Sequence, residues 1–185
     1  ETTGLDPIAA DLVGVSLSTQ AGEACYIPVA HTGGGDLLGD GAPEQIPLKA
    51  VVKALKPLLE NPSVLKIGQN IKYDLNVFAK VGIEIASIDD TMLISFALDA
   101  GRGGHGMDEL SLRHLEPQPI PFKEVAGTGK AQKTFDQIEL DKATQYAAED
   151  ADVTLRLWEH LKPRLVQEKV TTVYETIDRP LVSVV

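Results

Sequence analysis

A chain of 185 residues with 43% hydrophobic and 24% charged content is long enough for one domain with a substantial core. A single cysteine, Cys25, excludes an internal disulfide framework and suits a reducing compartment; no apolar run reaches membrane-spanning length and no signal peptide is visible. The formal charge of -10 argues against sequence-independent duplex binding by backbone neutralisation. It agrees with a site of carboxylates and divalent cations, although solubility explains it equally. The sequence begins at Glu1 without a methionine and ends on Pro180-Leu-Val-Ser-Val-Val with no polar tail. Both ends are therefore expected to be cuts through a longer protein.

Glu1 to Pro7 reads as a strand end passing into a turn, with Gly4 and Pro7 as breakers. Leu12 to Ser18 alternates Val13, Val15 and Leu17 against small residues, the pattern of a half-buried strand. Gly22-Glu23 closes a hairpin into a second strand, Ala24 to Ala30, where Cys25 is expected to be buried. Residues 31–46, rich in Gly, Asp and Pro, are expected to form a surface loop. Leu48 to Leu59 has helical spacing that Pro57 should kink or end early. Val64 to Gly68 is a candidate strand, and Ile71, Leu75 and Phe78 mark a helix after it. A short strand at Ile85 to Asp89 and helices at Thr91 to Ala100 and Met107 to Leu115 follow, with a Gly-rich connection at 101–106. Pro117 to Lys133 is irregular, and a long helix runs from about Asp141 to Gln167. A hairpin followed by alternating helices and strands predicts an α/β fold with a mixed sheet flanked by helices.

Two carboxylates fall on apolar helix faces. Asp74 lies on the stripe of Ile71 and Phe78, and Asp150 on that of Ala143, Tyr146, Val153, Thr154, Leu157 and Leu161. An unpaired carboxylate buried there would cost several kcal/mol, and no Lys or Arg lies one turn from Asp150 on that face. Asp150 thus reads as a metal ligand with Tyr146, four residues earlier, projecting beside it. The alternative is an ordinary surface Asp on a differently phased helix. Glu1 at a strand end is the third acidic candidate.

Convergent carboxylates suit Mg²⁺ or Mn²⁺, because these ions take oxygen ligands. With no Cys pair and no ligand spacing among His31, His105, His114 and His160, structural zinc is not expected. A pair of divalent ions can clamp an in-line displacement at phosphorus. Tyr146 is a poor general base at neutral pH and suits orienting a water. Val125-Ala-Gly-Thr-Gly-Lys-Ala lacks the Gly and the hydroxyl of a phosphate loop, having Glu124 and Ala131 instead. Gly33-Gly-Gly reads as a loop, and no serine has a hydrolase context.

Three segments in order resemble motifs of one family. Glu1-Thr-Thr-Gly-Leu resembles the end of an Asp-x-Glu motif, Asn70-Ile-Lys-Tyr-Asp74 an N-x-x-x-D motif, and Tyr146-Ala-Ala-Glu-Asp150 a Y-x-x-x-D motif. The chain resembles the ribonuclease-H-like DEDD 3′–5′ exonucleases in their tyrosine variant, and within them the proofreading domains of bacterial DNA polymerase I. Asp90-Thr-Met-Leu, Met107-Asp-Glu-Leu-Ser, Phe122-Lys-Glu-Val-Ala-Gly-Thr-Gly-Lys and Thr134-Phe-Asp-Gln-Ile extend the likeness over nearly the whole chain.

The resemblance implies a ribonuclease-H-like mixed sheet of about five strands. It implies an exonuclease domain over 1–170, with 171–185 leading to an absent polymerase domain. Glu1, Asp74 and Asp150 would hold two Mg²⁺ or Mn²⁺ ions, with Zn²⁺ possible at one site, and Tyr146 would position the water. Leu5 and Phe122 would pack on terminal bases, unless they are ordinary core residues. Thr2, Gln69, Asn70, Tyr73 and Met107 would line the path of a single-stranded or frayed DNA 3′ end. The setting implied is the bacterial cytoplasm near the nucleoid, in a monomer. The first motif's Asp would precede Glu1 by two residues, on the same strand face, so the fragment is expected to bind one ion weakly or to be impaired. A catalytically silent, strand-holding module and an RNA-trimming relative remain as alternatives.

Overall fold

The computed structural model describes residues 1–33, 41–115 and 119–184. Residues 34–40 of the expected 31–46 loop, including Gly34 and Gly35, and Pro117 lie outside the described residues. The hairpin is present: β1 (Gly14–Gln20) pairs antiparallel with β2 (Glu23–Pro28), with Gly14 opposite Pro28 and Leu17 opposite Cys25. A Cβ at Gly14 would overlap the Tyr26 ring, so the close approach of the ring to this strand requires glycine. Cys25 is exposed, contrary to the expectation of burial; it alternates with Tyr26, and the tyrosine takes the inward position.

Helix α1 (Leu48–Leu59) runs through Pro57 without ending there. Then come β3 (Lys66–Gly68), α2 (Ile71–Lys80) and β4 (Ile88–Asp90), a strand–helix–strand unit in which β3 and β4 pair in parallel. The strand expected from Ile85 begins only at Ile88, because Ser87 adopts a left-handed φ of 55° that interrupts the extended backbone. Helices α3 (Thr91–Asp99), α4 (Met107–His114) and the short α5 (Phe122–Ala126) lead to α6 (Leu140–Gln167). The fold is mixed α/β. The single sheet of about five strands is not what the described residues form: they give four short strands in two separate pairs. The first motif adds only an isolated antiparallel bridge, Thr2 to Leu12.

The long helix organises the core in two halves. Ala143 and Ala147, both fully buried, are small enough for its first half to pack close to Val13 and Tyr26 of the hairpin segment. Leu157, Leu161 and Leu165 of the second half pack with Ile94, Leu110 and Tyr174. Residues 171–181 form short helical turns, and their Tyr174 is fully buried in this second cluster.

Two adjacent aspartates fix the end of β4. Asp90 Oδ1 accepts from the backbone N–H of Asn70 at 3.0 Å, Met92 at 2.9 Å and Leu93 at 3.4 Å; its Oδ2 accepts from Ile71 N–H at 2.9 Å. One carboxylate thereby caps the N-termini of both α2 and α3. Asn70 just before α2 takes the left-handed conformation, φ 60°, that an Asn tolerates better than most residues. Asp89 points the other way, into the second core cluster, where it meets Trp158, Lys162, Tyr174 and Arg179.

Candidate active site

The Glu1 carboxylate lies within electrostatic reach of Asp74 and, separately, of Asp150. Glu1 is fixed by its backbone: its N donates to Gly14 O at 2.8 Å, and its carbonyl accepts from Val13 N–H at 2.9 Å. Asp74 sits in the first turn of α2, the helix that Asp90 caps. Asp150 lies midway along α6, on the face that carries Ala143, Ala147, Val153 and Thr154 into the core.

Their charges oppose one another. Burial first, then the carboxylates of Glu1 and Asp90, push Asp74 up to about 6, against the pull of the Glu1 amino group. Burial first, then the charge of Glu1, pushes Asp150 up to about 8, while a hydrogen bond from Tyr146 holds it down. Asp108 and Glu149 add to the rise at Asp150. Tyr146 is pushed above the ordinary tyrosine range by burial and by Asp150 and Glu1, so its phenol stays protonated. Glu1 is thus the charge that both aspartates sense, and Tyr146 is the hydrogen-bond donor to Asp150. No three His, Cys, Asp or Glu side chains among the described residues stand close enough to form a ready-made metal cage.

The other expected site residues divide. Leu5 is 97% exposed, which removes its core reading. Phe122 is partly buried against the hairpin cluster, its ring parallel to Phe135 at 6.5 Å and edge-on to Tyr146 at 5.7 Å. The hydroxyls of Thr2 and Tyr73 lie within hydrogen-bond distance of each other and of the Gly4 carbonyl, which ties the first motif to α2. Gln69 donates to His105 O at 2.8 Å and accepts from the Thr91 hydroxyl, so both ends of its amide are engaged. Asn70 is exposed. Met107, at the start of α4, packs partly buried against the second core cluster, its Sδ 3.7 Å from the Thr154 hydroxyl.

Sequence reasoning passed over Asp108 and the capping role of Asp90. Asp108 follows Met107 in the first turn of α4, and its position in that quoted segment was the one available signal. Two cavities among the described residues lie along the second half of α6.

A family model described as 3′-5′ exonuclease matches residues 1–166. The chain belongs to the 3′–5′ exonuclease domain family of DNA polymerase I. It is 54% identical over 195 residues to DNA polymerase I of Rhizobium leguminosarum, and 46% identical over 188 residues to that of Pseudomonas aeruginosa. Each match covers 100% of this chain, but 19% and 20% of those proteins, so the exonuclease-family chain spans about a fifth of their length. In fold it resembles Brucella melitensis NrnC solved with bound Mg²⁺, with a TM-score of 0.70 and 24% identity over 99% of this chain and 79% of that one. No helix of the described residues is long and apolar enough to cross a membrane.

Proposed function

We propose that this exonuclease-family domain is active: it hydrolyses the 3′-terminal phosphodiester of single-stranded or frayed DNA, releases nucleoside 5′-monophosphates, and so serves proofreading. The observation that carries this reading is the burial of Asp74 and Asp150 together with their crowding against the Glu1 charge, which raise the pKa of both aspartates. Such crowding is relieved by divalent cations, and an all-oxygen donor set fits Mg²⁺ or Mn²⁺. Glu1, Asp74 and Asp150 would hold the ions, which when bound would supply charge neutralisation and a water acidic enough to act near neutral pH.

The chain's own residues do the rest. Tyr146 keeps its proton, so it donates to Asp150 and orients the nucleophile instead of removing a proton from it. Leu5, projecting into solvent, offers an apolar wedge for a terminal base, with Phe122 as the deeper aromatic wall. Thr2 and Tyr73 hold the strand path's floor through Gly4, while Gln69, Asn70 and Met107 flank it. In the same reading the two strand pairs belong to one ribonuclease-H-like sheet, and residues 171–185 lead toward a polymerase portion of the same bacterial polypeptide, a cytoplasmic monomer.

The test is a DNA primer with a frayed, labelled 3′ end and Mg²⁺, in a polypeptide that includes the residues expected upstream of Glu1. Stepwise shortening that releases nucleoside 5′-monophosphates is the expected result, and Asp150→Ala should slow it about a thousandfold. Equal rates for Asp150→Ala and the parent would overturn the proposal. The absence of a closed three-ligand cage among the described residues favours one second reading, a silent module that braces a polymerase. Calorimetry showing no divalent-ion binding by the upstream-extended polypeptide would select it.

A further inference from the structure

Three of the chain's five arginines and two of its four histidines converge far from the carboxylates. Arg102, Arg113, His114, His160 and Arg164, with Asp99, line a cavity of about 450 Å³. The residues come from the 101–104 loop, the end of α4 and the second half of α6. Asp150 and Arg164 are both on α6, and at ~1.5 Å per residue they stand on the order of 20 Å apart. The cavity is therefore separate from the proposed exonuclease centre.

The cluster is built rather than scattered. Asp99 is buried and holds two of the guanidiniums, Arg164 at 3.2 Å and Arg102 at 3.6 Å. Arg164 also pairs with Glu168 at 2.8 Å. Arg113 donates to the carbonyls of Glu109 and Gly104, which anchors it across the loop mouth. Gly101 and Gly103 both have left-handed φ, 80° and 112°, so the turn that presents Arg102 depends on glycine. Three guanidiniums gather here against the carboxylates of Asp99 and Glu168, with that of Glu109 beside Gly104, a concentration of arginine in a chain whose formal charge is -10.

His114 supplies an independent observation. Its Nε2 is buried with no hydrogen-bond partner among the described residues, and its ring lies 5.0 Å from that of His160. An unpartnered buried imidazole nitrogen costs free energy unless a ligand or water engages it. Burial, then His160, Arg164 and Arg113, push His114 below its ordinary value, so it remains neutral at pH 7.

We propose that this cavity is a phosphate-binding site, taking a phosphate group carried either by a mononucleotide or by a nucleic-acid strand. Guanidinium forks match phosphate oxygens in geometry and charge. Arginines already shared with carboxylates in a partly open cluster imply affinity for inorganic phosphate alone no tighter than about millimolar, with additional contacts strengthening it.

With only four histidines, the imidazole proton signals of the chain provide the readout. Inorganic phosphate, a nucleoside 5′-monophosphate and a short single-stranded oligodeoxynucleotide are titrated separately in EDTA, so that no hydrolysis occurs. The expected result is saturable movement of the His114 and His160 signals in all three titrations, with that of His31 staying in place when inorganic phosphate is added. Tighter, length-dependent binding of the oligonucleotide would assign the phosphate to a strand; equal or tighter binding of the monophosphate would assign it to a nucleotide. Arg102→Gln, at a largely exposed side chain, should weaken binding severalfold, and Arg102→Gln with Arg113→Gln at least tenfold. Asp150→Asn should bind as the parent does, which keeps the result independent of the exonuclease reading. No saturable movement at His114 and His160, or unchanged affinity in Arg102→Gln, would overturn the site.

Discussion

Lys162 and Asp89 lie 73 residues apart in sequence and meet at 2.9 Å, with the Asp89 carboxylate fully buried. The same carboxylate accepts from Trp158 Nε1 at 2.7 Å and from the Tyr174 hydroxyl at 3.0 Å, and Arg179 stands at 3.5 Å. This cage joins the end of β4, the second half of α6 and the segment after it.

The cage makes the acid limb of stability predictable. Burial pushes the Asp89 pKa up, but Lys162, Trp158 and Tyr174 more than offset it, so the folded value lies below the ordinary one. A carboxylate with a depressed folded pKa contributes stability that is present above its unfolded value, about 3.9, and is lost as pH falls through the folded value. Urea melts below about pH 4 should show the parent losing stability with a slope that Asp89→Asn lacks. At pH 7, Asp89→Ala should cost about 2–3 kcal/mol, because it leaves the Trp158 and Tyr174 donors without an acceptor, while Lys162 and Arg179 keep Glu175.

The candidate site gives the opposite sign. Asp74 and Asp150 are raised to about 6 and about 8, so their folded forms favour the proton. Their contribution is fully present below the unfolded value near 4 and is lost as pH rises through those two values. Metal-free melting temperatures should therefore fall between pH 5 and pH 9, and Mg²⁺ should restore them most at the alkaline end. Asp150→Asn should melt higher than the parent at pH 9 without metal and lose most of the Mg²⁺ response. A metal-free melting temperature that rises over this range would contradict the crowding of these carboxylates.

Tyr146→Phe separates orientation from folding. The ring packs edge-on against Phe122, and phenylalanine preserves that contact, so the melting temperature should change little. Loss of the hydroxyl should lower kcat on a frayed primer about a hundredfold, with KM nearly unchanged.

Asp90→Ala would release four backbone N–H groups at the start of two helices. The expected loss is about 2–4 kcal/mol by urea denaturation, combining two capping contributions. Hydrogen exchange should accelerate first at Ile71 and Met92, and Asp90→Asn should recover part of the loss. Uniform acceleration across the chain would indicate a different role for Asp90.

The sequence by itself determined what repeats within a few residues. Helical period placed Tyr146 beside Asp150 and put Asp74 on the stripe of Ile71, because neighbours three and four apart share a face whatever surrounds them. Turn chemistry located the hairpin, and three motif segments pointed to the family that the comparisons support. Tertiary structure decided the exposure of Leu5 and Cys25, the early interruption at Ser87, the division into two strand pairs, and the opposite fates of the neighbours Asp89 and Asp90. It also decided that the Glu1 charge should reach both Asp74 and Asp150. Period sets which residues share a face; which distant charges meet across that face depends on how whole elements pack, and no local pattern carries that information.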